Sequence, residues 1–238
     1  AESKKYPHLK VMEAFMYRCH PQIERLSILI QEGAIGDVRM VRSSFGYNAD
    51  FASSNTFDHG GIMDVGCYAA SASRLVAGAV SGQPFLNPIE IKAAGVVNDT
   101  GVDCIAAASL LFENDVVGQI STSITCNLPS EIVVFGTEGV LRVPEPWLPS
   151  TPCRAADSPL PLDTAFPPSE ILLSRRGQHE TITVEVNRDL FTYEADVVAE
   201  YIDARQSPTM SWDDSLGNMQ LMDEWRSQIG VVFPEDVV

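Results

Sequence analysis

Basic residues are scarce in this chain: 16 Lys and Arg stand against 32 Asp and Glu, giving a formal charge of −16 and a pI near 4.5. Nucleic acid and anionic membrane surfaces are both gripped by basic clusters, so neither is expected as a partner. Histidine is scarcer still. His8, His20, His59 and His179 show no zinc-ligand spacing, and no metal is expected. The five cysteines (Cys19, Cys67, Cys104, Cys126, Cys153) are odd in number, scattered and form no CxxC, which predicts unpaired thiols in a reducing cytoplasm. No apolar run approaches the ~18 residues that span a bilayer, and no signal peptide is legible. No GxGxxG occurs either, so the turn that lets a backbone close on a pyrophosphate is missing.

What is present is enough to build a core. Hydrophobic residues make up 45% of 238, suited to one large domain or one and a half. Pro21 and the spacing of Ile23, Leu26 and Ile30 predict an amphipathic helix over 21–32, stopped by Gly33. Residues 38–47 read as a strand, and 61–77 as a helix with Ile62, Val65, Ala69, Ala72, Leu75 and Val76 on its apolar surface. Strand signals then crowd over 89–97, 105–112, 116–126, 131–136 and, in FGTEGVLRV, up to 143. Asn114-Asp115 and Thr137-Glu138-Gly139 are hairpin turns, and short connections imply antiparallel neighbours.

Eight of the fifteen prolines fall within 144–169, a surface excursion rather than a linker, since a strand at 181–186 follows. Two closing helices use Val197, Val198, Tyr201 and Ile202, then Leu216, Met219, Met222, Trp225 and Ile229, the second opened by Ser211 and Asp214. The expected fold is α+β: an open, predominantly antiparallel sheet of about six strands with helices on one face and a polar or partner-covered face opposite. Gln119, Ser121, Ser123 and Thr125 alternate to give that polar face, which predicts a homodimer or a dimer of dimers.

The segment GGIMDVGCYAASASRLVAG, 60–78, carries the candidate chemistry. Asp64 and Tyr68 stand four apart, which on an α-helix stacks them on one face. A phenol beside a carboxylate is a proton-transfer pair; alternatively Asp64 caps the first turn and Tyr68 packs. Arg18 and His20 in MEAFMYRCHP lie where a strand end would open on a cleft, against the alternative of a solvated Arg and a structural His. Glu13 reads as a domain-junction residue, with a weaker reading as a cofactor contact. The tryptophans are assigned no role.

The 60–78 segment resembles the GGxxxDxGxH/Y motif of the Gfo/Idh/MocA family, NAD(P)-dependent oxidoreductases. VMEAFMYRCHP with LIQEGAIGDVRMV resembles the family's crossover into its substrate domain, FGTEGVLRV its strand–turn–strand, and YEADVVAEYIDA with SWDDSLGNMQLMDEWRSQIGVVFP its closing helices. The resemblance implies a dihydrodipicolinate-reductase-like C-terminal domain. Residues 1–20 would be the end of a nucleotide-binding domain and 21–238 the substrate-binding and dimerising domain. Tyr68 and Asp64 would be catalytic, Arg18 and His20 would face the cleft, and NAD or NADP would bind to a preceding domain. The family's EKP motif, with its catalytic lysine, is missing along with the glycine-rich turn.

Tyrosine at 68 resembles the dihydrodiol dehydrogenase, glucose-fructose oxidoreductase and sugar dehydrogenase branch rather than the inositol dehydrogenases, which carry histidine there. Implied substrates are sugars, polyols or dihydrodiols, and the isolated chain is expected to bind no cofactor and to be inactive. The alternative is a non-enzymatic scaffold that assembles through its sheet.

Overall fold

A computed structural model describes residues 5–6, 8–49, 60–151 and 165–233. His59, Cys153 and much of the proline-rich stretch therefore lie outside the described residues. Helix α1 (Pro21–Gln31) starts as the sequence predicts: Pro21 occupies a first-turn position and the extended His20 caps it, its Nδ1 accepting from Gln22 N at 3.2 Å. Gly33, at φ 70°, closes it in the left-handed conformation.

Strand β1 (Val38–Asn48) lies in the interior of the sheet. Helix α2 (Cys67–Val80) crosses its inner face, preceded by a π-helical turn at Ile62–Gly66. Then come β2 (Glu90–Val97), β3 (Asp103–Leu111), β4 (Val117–Ser123), β5 (Thr125–Gly136), β6 (Gly139–Pro144), β7 (Ser169–Arg175) and β8 (Gln178–Val184), in the order β2-β3-β4-β1-β5-β6-β7-β8. Helices α3 (Leu190–Glu200) and α4 (Trp212–Ile229) end the chain's described structure.

The α+β class and the mostly antiparallel pairing agree with the sequence, while the expected open sheet of about six strands is corrected to a mixed sheet of eight. Strand β7 was hidden behind Pro167 and Pro168. Strands β4 and β5, read as antiparallel neighbours, instead flank β1: β4 runs parallel to it and β5 antiparallel. The chain crosses the end of β1 in one residue, Ile124, whose carbonyl accepts from Ala49 N at 3.0 Å. Strand β5 also begins earlier than expected. Pro129 lacks an N–H, but it falls where the β1–β5 register shifts between Ser44 and Gly46, a bulge that needs no donor there.

Helices α1, α2 and α4 form one layer, with α2 over β1, β4 and β5, α4 over β2, and α1 against β7 and β8. The core between layers holds Ile23, Leu26, Val41, Ala72, Val76, Ile120, Ile132 and Trp225. In α4 the buried stripe is Asp214, Gly217, Asn218, Leu221, Met222 and Trp225, whereas Leu216 and Met219, expected inside, are exposed. In α3 only Leu190 is buried, and Ile202 lies exposed beyond its end. The buried Asp214 is matched by an ion cluster beneath α4, while the buried Asn218 donates to Cys67 O at 3.3 Å.

Candidate active site at the start of helix α2

Gly60 stands before this helix because a carboxylate fills the space its Cβ would take, whereas a Cβ on Gly61 would make only ordinary contact. Asp103, fully buried at the first position of β3, accepts from Ile62 N at 2.7 Å through Oδ2. Gly60 sits at φ 75°, and a Cβ there would fall inside the Asp103 carboxyl group. Burial pushes Asp103 up to about 6, against the lowering pull of backbone N–H groups including those of Ile62 and Gly61. Asp64 therefore does not cap the first turn.

The following turn is π-helical rather than α-helical, and Asp64 stays close enough to Tyr68 to raise its phenol. Asp64 is exposed and its carboxylate accepts from the Tyr47 hydroxyl. Tyr47, on β1, was not singled out in the sequence; only its place at the aromatic end of a strand pointed to it.

Tyr68 is half-buried in a ring of aromatics. The centroids of Phe15, Phe45, Tyr17 and Trp147 lie 5.4, 5.6, 5.7 and 5.8 Å from its own. Its hydroxyl meets only Met16 Sδ, at 3.7 Å, among its described hydrogen-bond partners. Burial first, then Cys67, Asp64 and Glu194, push the phenol up to about 12. At neutral pH it is a proton donor, and it becomes a base only beside a cation that favours phenolate. Trp147, unassigned in the sequence, is held by its Nε1–H donating to Ser44 O at 3.1 Å.

Arg18 and His20 turn inward. Arg18 donates to Ser71 Oγ and Asp214 Oδ2, both at 2.9 Å, and Asp214 also accepts from the fully buried Arg74 at 2.6 Å. This cluster ties the turn at Met16–Cys19, α2 and α4 together, and it explains why Asp214 does not complete a capping box with Ser211. His20, spent on the α1 cap and packed edge-on to Tyr193 at 5.4 Å, is pushed down to about 4 by burial. Glu13 lies beside Ser215, raised by burial, and its Oε2 has no partner among the described residues. Thus Asp64 binds Tyr47 one turn before Tyr68, while Arg18 and His20, tied to the frame by these contacts, also line a separate cavity between α1, α2 and α3. No cluster of metal-ligating side chains occurs among the described residues.

The architecture defines a class first: a mixed sheet with one helix layer and a phenol and a carboxylate at the start of its central helix. The model for the GFO/IDH/MocA C-terminal domain matches residues 23–142, and this chain belongs to the Gfo/Idh/MocA family. Among its relatives is the trans-1,2-dihydrobenzene-1,2-diol dehydrogenase of Mus musculus, 29% identical over 231 residues, which cover 95% of this chain and 64% of the relative. The enzyme of that name from Homo sapiens is 28% identical over 241 residues, with 96% and 64% covered. This chain thus spans just under two thirds of the length of those relatives.

Two solved structures share the fold. The aldose-aldose oxidoreductase from Caulobacter crescentus, complexed with glycerol, has a TM-score of 0.74 at 17% identity, over 92% of this chain and 61% of that one. A 3-ketoreductase from Actinomadura kijaniata, in complex with NADP and TDP-benzene, has a TM-score of 0.72 at 19% identity, over 93% and 63%. No helix among the described residues is long and apolar enough to cross a membrane.

Proposed function

We propose that this chain is the substrate-binding and dimerising part of an NAD(P)-dependent oxidoreductase that acts on the CH–OH group of a sugar, polyol or dihydrodiol. Residues up to 20 then belong to the end of a nucleotide-binding domain. The observation that carries the reading is Tyr68: a phenol whose ring is fixed by four aromatics while its hydroxyl is almost free of partners. Its place in the family motif and the names of the relatives support the same chemistry.

Nothing in the chain can cradle the pyrophosphate, for no two glycines stand at G-x-G spacing, so these residues alone should bind no NAD(P) and should be inactive. The acid-rich surroundings do fit a cationic neighbour: Glu13 has a buried, unpartnered oxygen, and Asp64 and Glu194 both raise the phenol. When bound, a nicotinamide supplies or accepts the hydride. Tyr68 donates its hydroxyl proton to the carbonyl oxygen in reduction and accepts the hydroxyl proton in oxidation, the latter once a cation favours its phenolate. Asp64, held by Tyr47, orients that cation or a substrate hydroxyl. The four described cysteines are free, which suits a cytoplasmic enzyme.

Tyr68→Phe in the full-length protein tests the reading, since it keeps the ring contacts and removes only the oxygen. Turnover should fall by roughly 10²–10⁴-fold with folding and cofactor affinity nearly unchanged. Full turnover would reduce Tyr68 to a packing residue. The outer face of the sheet, a shallow hollow lined by Arg42, Lys92, Ser109, Gln119 and Ser121, is proposed as the dimer surface. Sedimentation should show an assembly larger than the 25.9 kDa monomer, dispersed by Ser121→Arg.

A further inference from the structure

Two side chains from the sheet grip one peptide unit at the start of α2. Asp103 Oδ2 accepts from Ile62 N at 2.7 Å, and Thr122 Oγ1, from β4, donates to Gly61 O at 3.0 Å. The N–H and the C=O of the Gly61–Ile62 peptide are therefore held at once, by two side chains with no exposed surface. Space enforces the fit. A Cβ on Gly60 would overlap the Asp103 carboxyl group, and one on Gly61 would touch the same carboxylate at 3.4 Å and Thr122 Oγ1 at 3.6 Å. Gly66, at the far end of the turn, would bring its Cβ to 3.2 Å from Thr122 Cγ2. The π-helical turn between these points carries Asp64, and Tyr68 follows within the next turn.

We propose that Asp103 is a positioning residue for Asp64 and Tyr68: together with Thr122 it clamps the Gly61–Ile62 peptide and so sets where the wide turn begins. A helix whose first turn is free settles into regular α geometry, since π turns are rare and need local support. Held at the Gly61–Ile62 peptide, the turn widens, Asp64 is offered to Tyr47, and Tyr68 enters the ring of Phe15, Phe45, Tyr17 and Trp147. Asp103 has no exposed surface, so its effect on Asp64 and Tyr68 runs through the helix start. The proposal rests on the reading of Tyr68 as the proton-transfer group.

The test uses the full-length protein with Asp103→Ala, Asp103→Asn and Thr122→Val beside Tyr68→Phe. Misplacing a catalytic group by a fraction of its contact distance costs at least about tenfold, so Asp103→Ala should lower kcat by about that factor or more with KM little changed. Amide exchange should quicken about tenfold over 62–66 while the end of α2 keeps its protection. Asp103→Asn retains an acceptor oxygen and should restore most of both. If Asp103→Ala yields no folded protein, Thr122→Val removes the other half of the grip and takes the same readouts. Exchange that rises evenly along α2, or a wild-type kcat for Asp103→Ala beside a slow Tyr68→Phe, overturns the proposal alone. Full turnover by Tyr68→Phe overturns the reading beneath it.

Discussion

Helices α1 and α2 begin in opposite ways. Helix α1 is started locally: His20 caps it, Pro21 presets its first φ, and its turns are regular. Helix α2 is started from a distance, by Asp103, 41 residues further along the chain, and it opens with a π turn. A local start needs only adjacent residues and places the helix wherever packing puts it. A start held by the sheet ties the first turn to β3 and β4, so the residues on that turn inherit the sheet's rigidity. That is the end of the molecule where Asp64 and Tyr68 lie, and a sheet-held start is what the proposed role of these residues requires.

The largest break in this comparison is expected from alanine at two glycines of similar backbone. Gly33 ends α1 at φ 70° with nothing within 4 Å of a Cβ, so Gly33→Ala should cost about 1–2 kcal/mol, the left-handed penalty alone. Gly60 has φ 75° and a Cβ there would collide with the buried Asp103 carboxylate. Displacing that carboxylate strands it without its N–H donor, so Gly60→Ala should cost about 3–5 kcal/mol. Denaturant unfolding of the two variants checks the ratio; equal losses would mean that Asp103 yields its place easily.

Next in size come the two caps, both titratable and opposite in sign. Burial pushes His20 down from the ordinary 6.5 to about 4, favouring the neutral ring whose Nδ1 accepts from Gln22. Its stabilisation is complete above pH 6.5 and is lost as pH falls toward 4. Asp103 is raised from 3.8 to about 6 by burial, with Arg226 the opposing cation. Its contribution is complete below pH 3.8 and is lost as pH rises through 6. His20→Asn and Asp103→Asn keep an acceptor at each cap while removing the titration. Relative to these variants, the wild type should lose about 1–3 kcal/mol in opposite directions across those windows. Melting curves over pH 4–7 read both.

Features built from neighbours were legible in the sequence, and features built from distant contacts were not. The α1 start, the Gly33 stop, the hairpins at Asn114-Asp115 and Thr137–Gly139, and the left-handed Gly230 closing α4 all follow from adjacent residues. The parallel β1–β4 pair, the bulge that admits Pro129 and the Asp103 cap depend on elements far apart in the chain. Asp64 and Tyr68 are legible as candidates because a short motif carries them. Tyr47, Phe45 and Trp147 were missed because the sheet and a proline-rich loop deliver them separately. Arg18, expected at a cleft, lines a surface cavity with His20 and is held by Asp214, 196 residues on, a partner that no local pattern announces.

The smallest expected effect isolates charge on the first turn of each helix. Glu24 occupies that place in α1 and Asp64 the corresponding turn before α2. Glu24 is exposed, so Glu24→Gln should remove only its favourable interaction with the helix N-terminus, about 0.5 kcal/mol, and leave turnover of the full-length enzyme unchanged. Asp64→Asn has two opposed consequences. It retains an oxygen that can accept from Tyr47, but it removes a charge that helps to raise the Tyr68 phenol. The phenol should therefore ionise at lower pH, shifting the alkaline limb of the kcat profile downward. At neutral pH, kcat should fall by no more than about tenfold, through loss of the group that orients a cation or substrate hydroxyl. A profile that stays in place would remove Asp64 from the electrostatics of Tyr68. A loss as large as that of Tyr68→Phe would make Asp64 the principal proton-transfer group, with the phenol serving it.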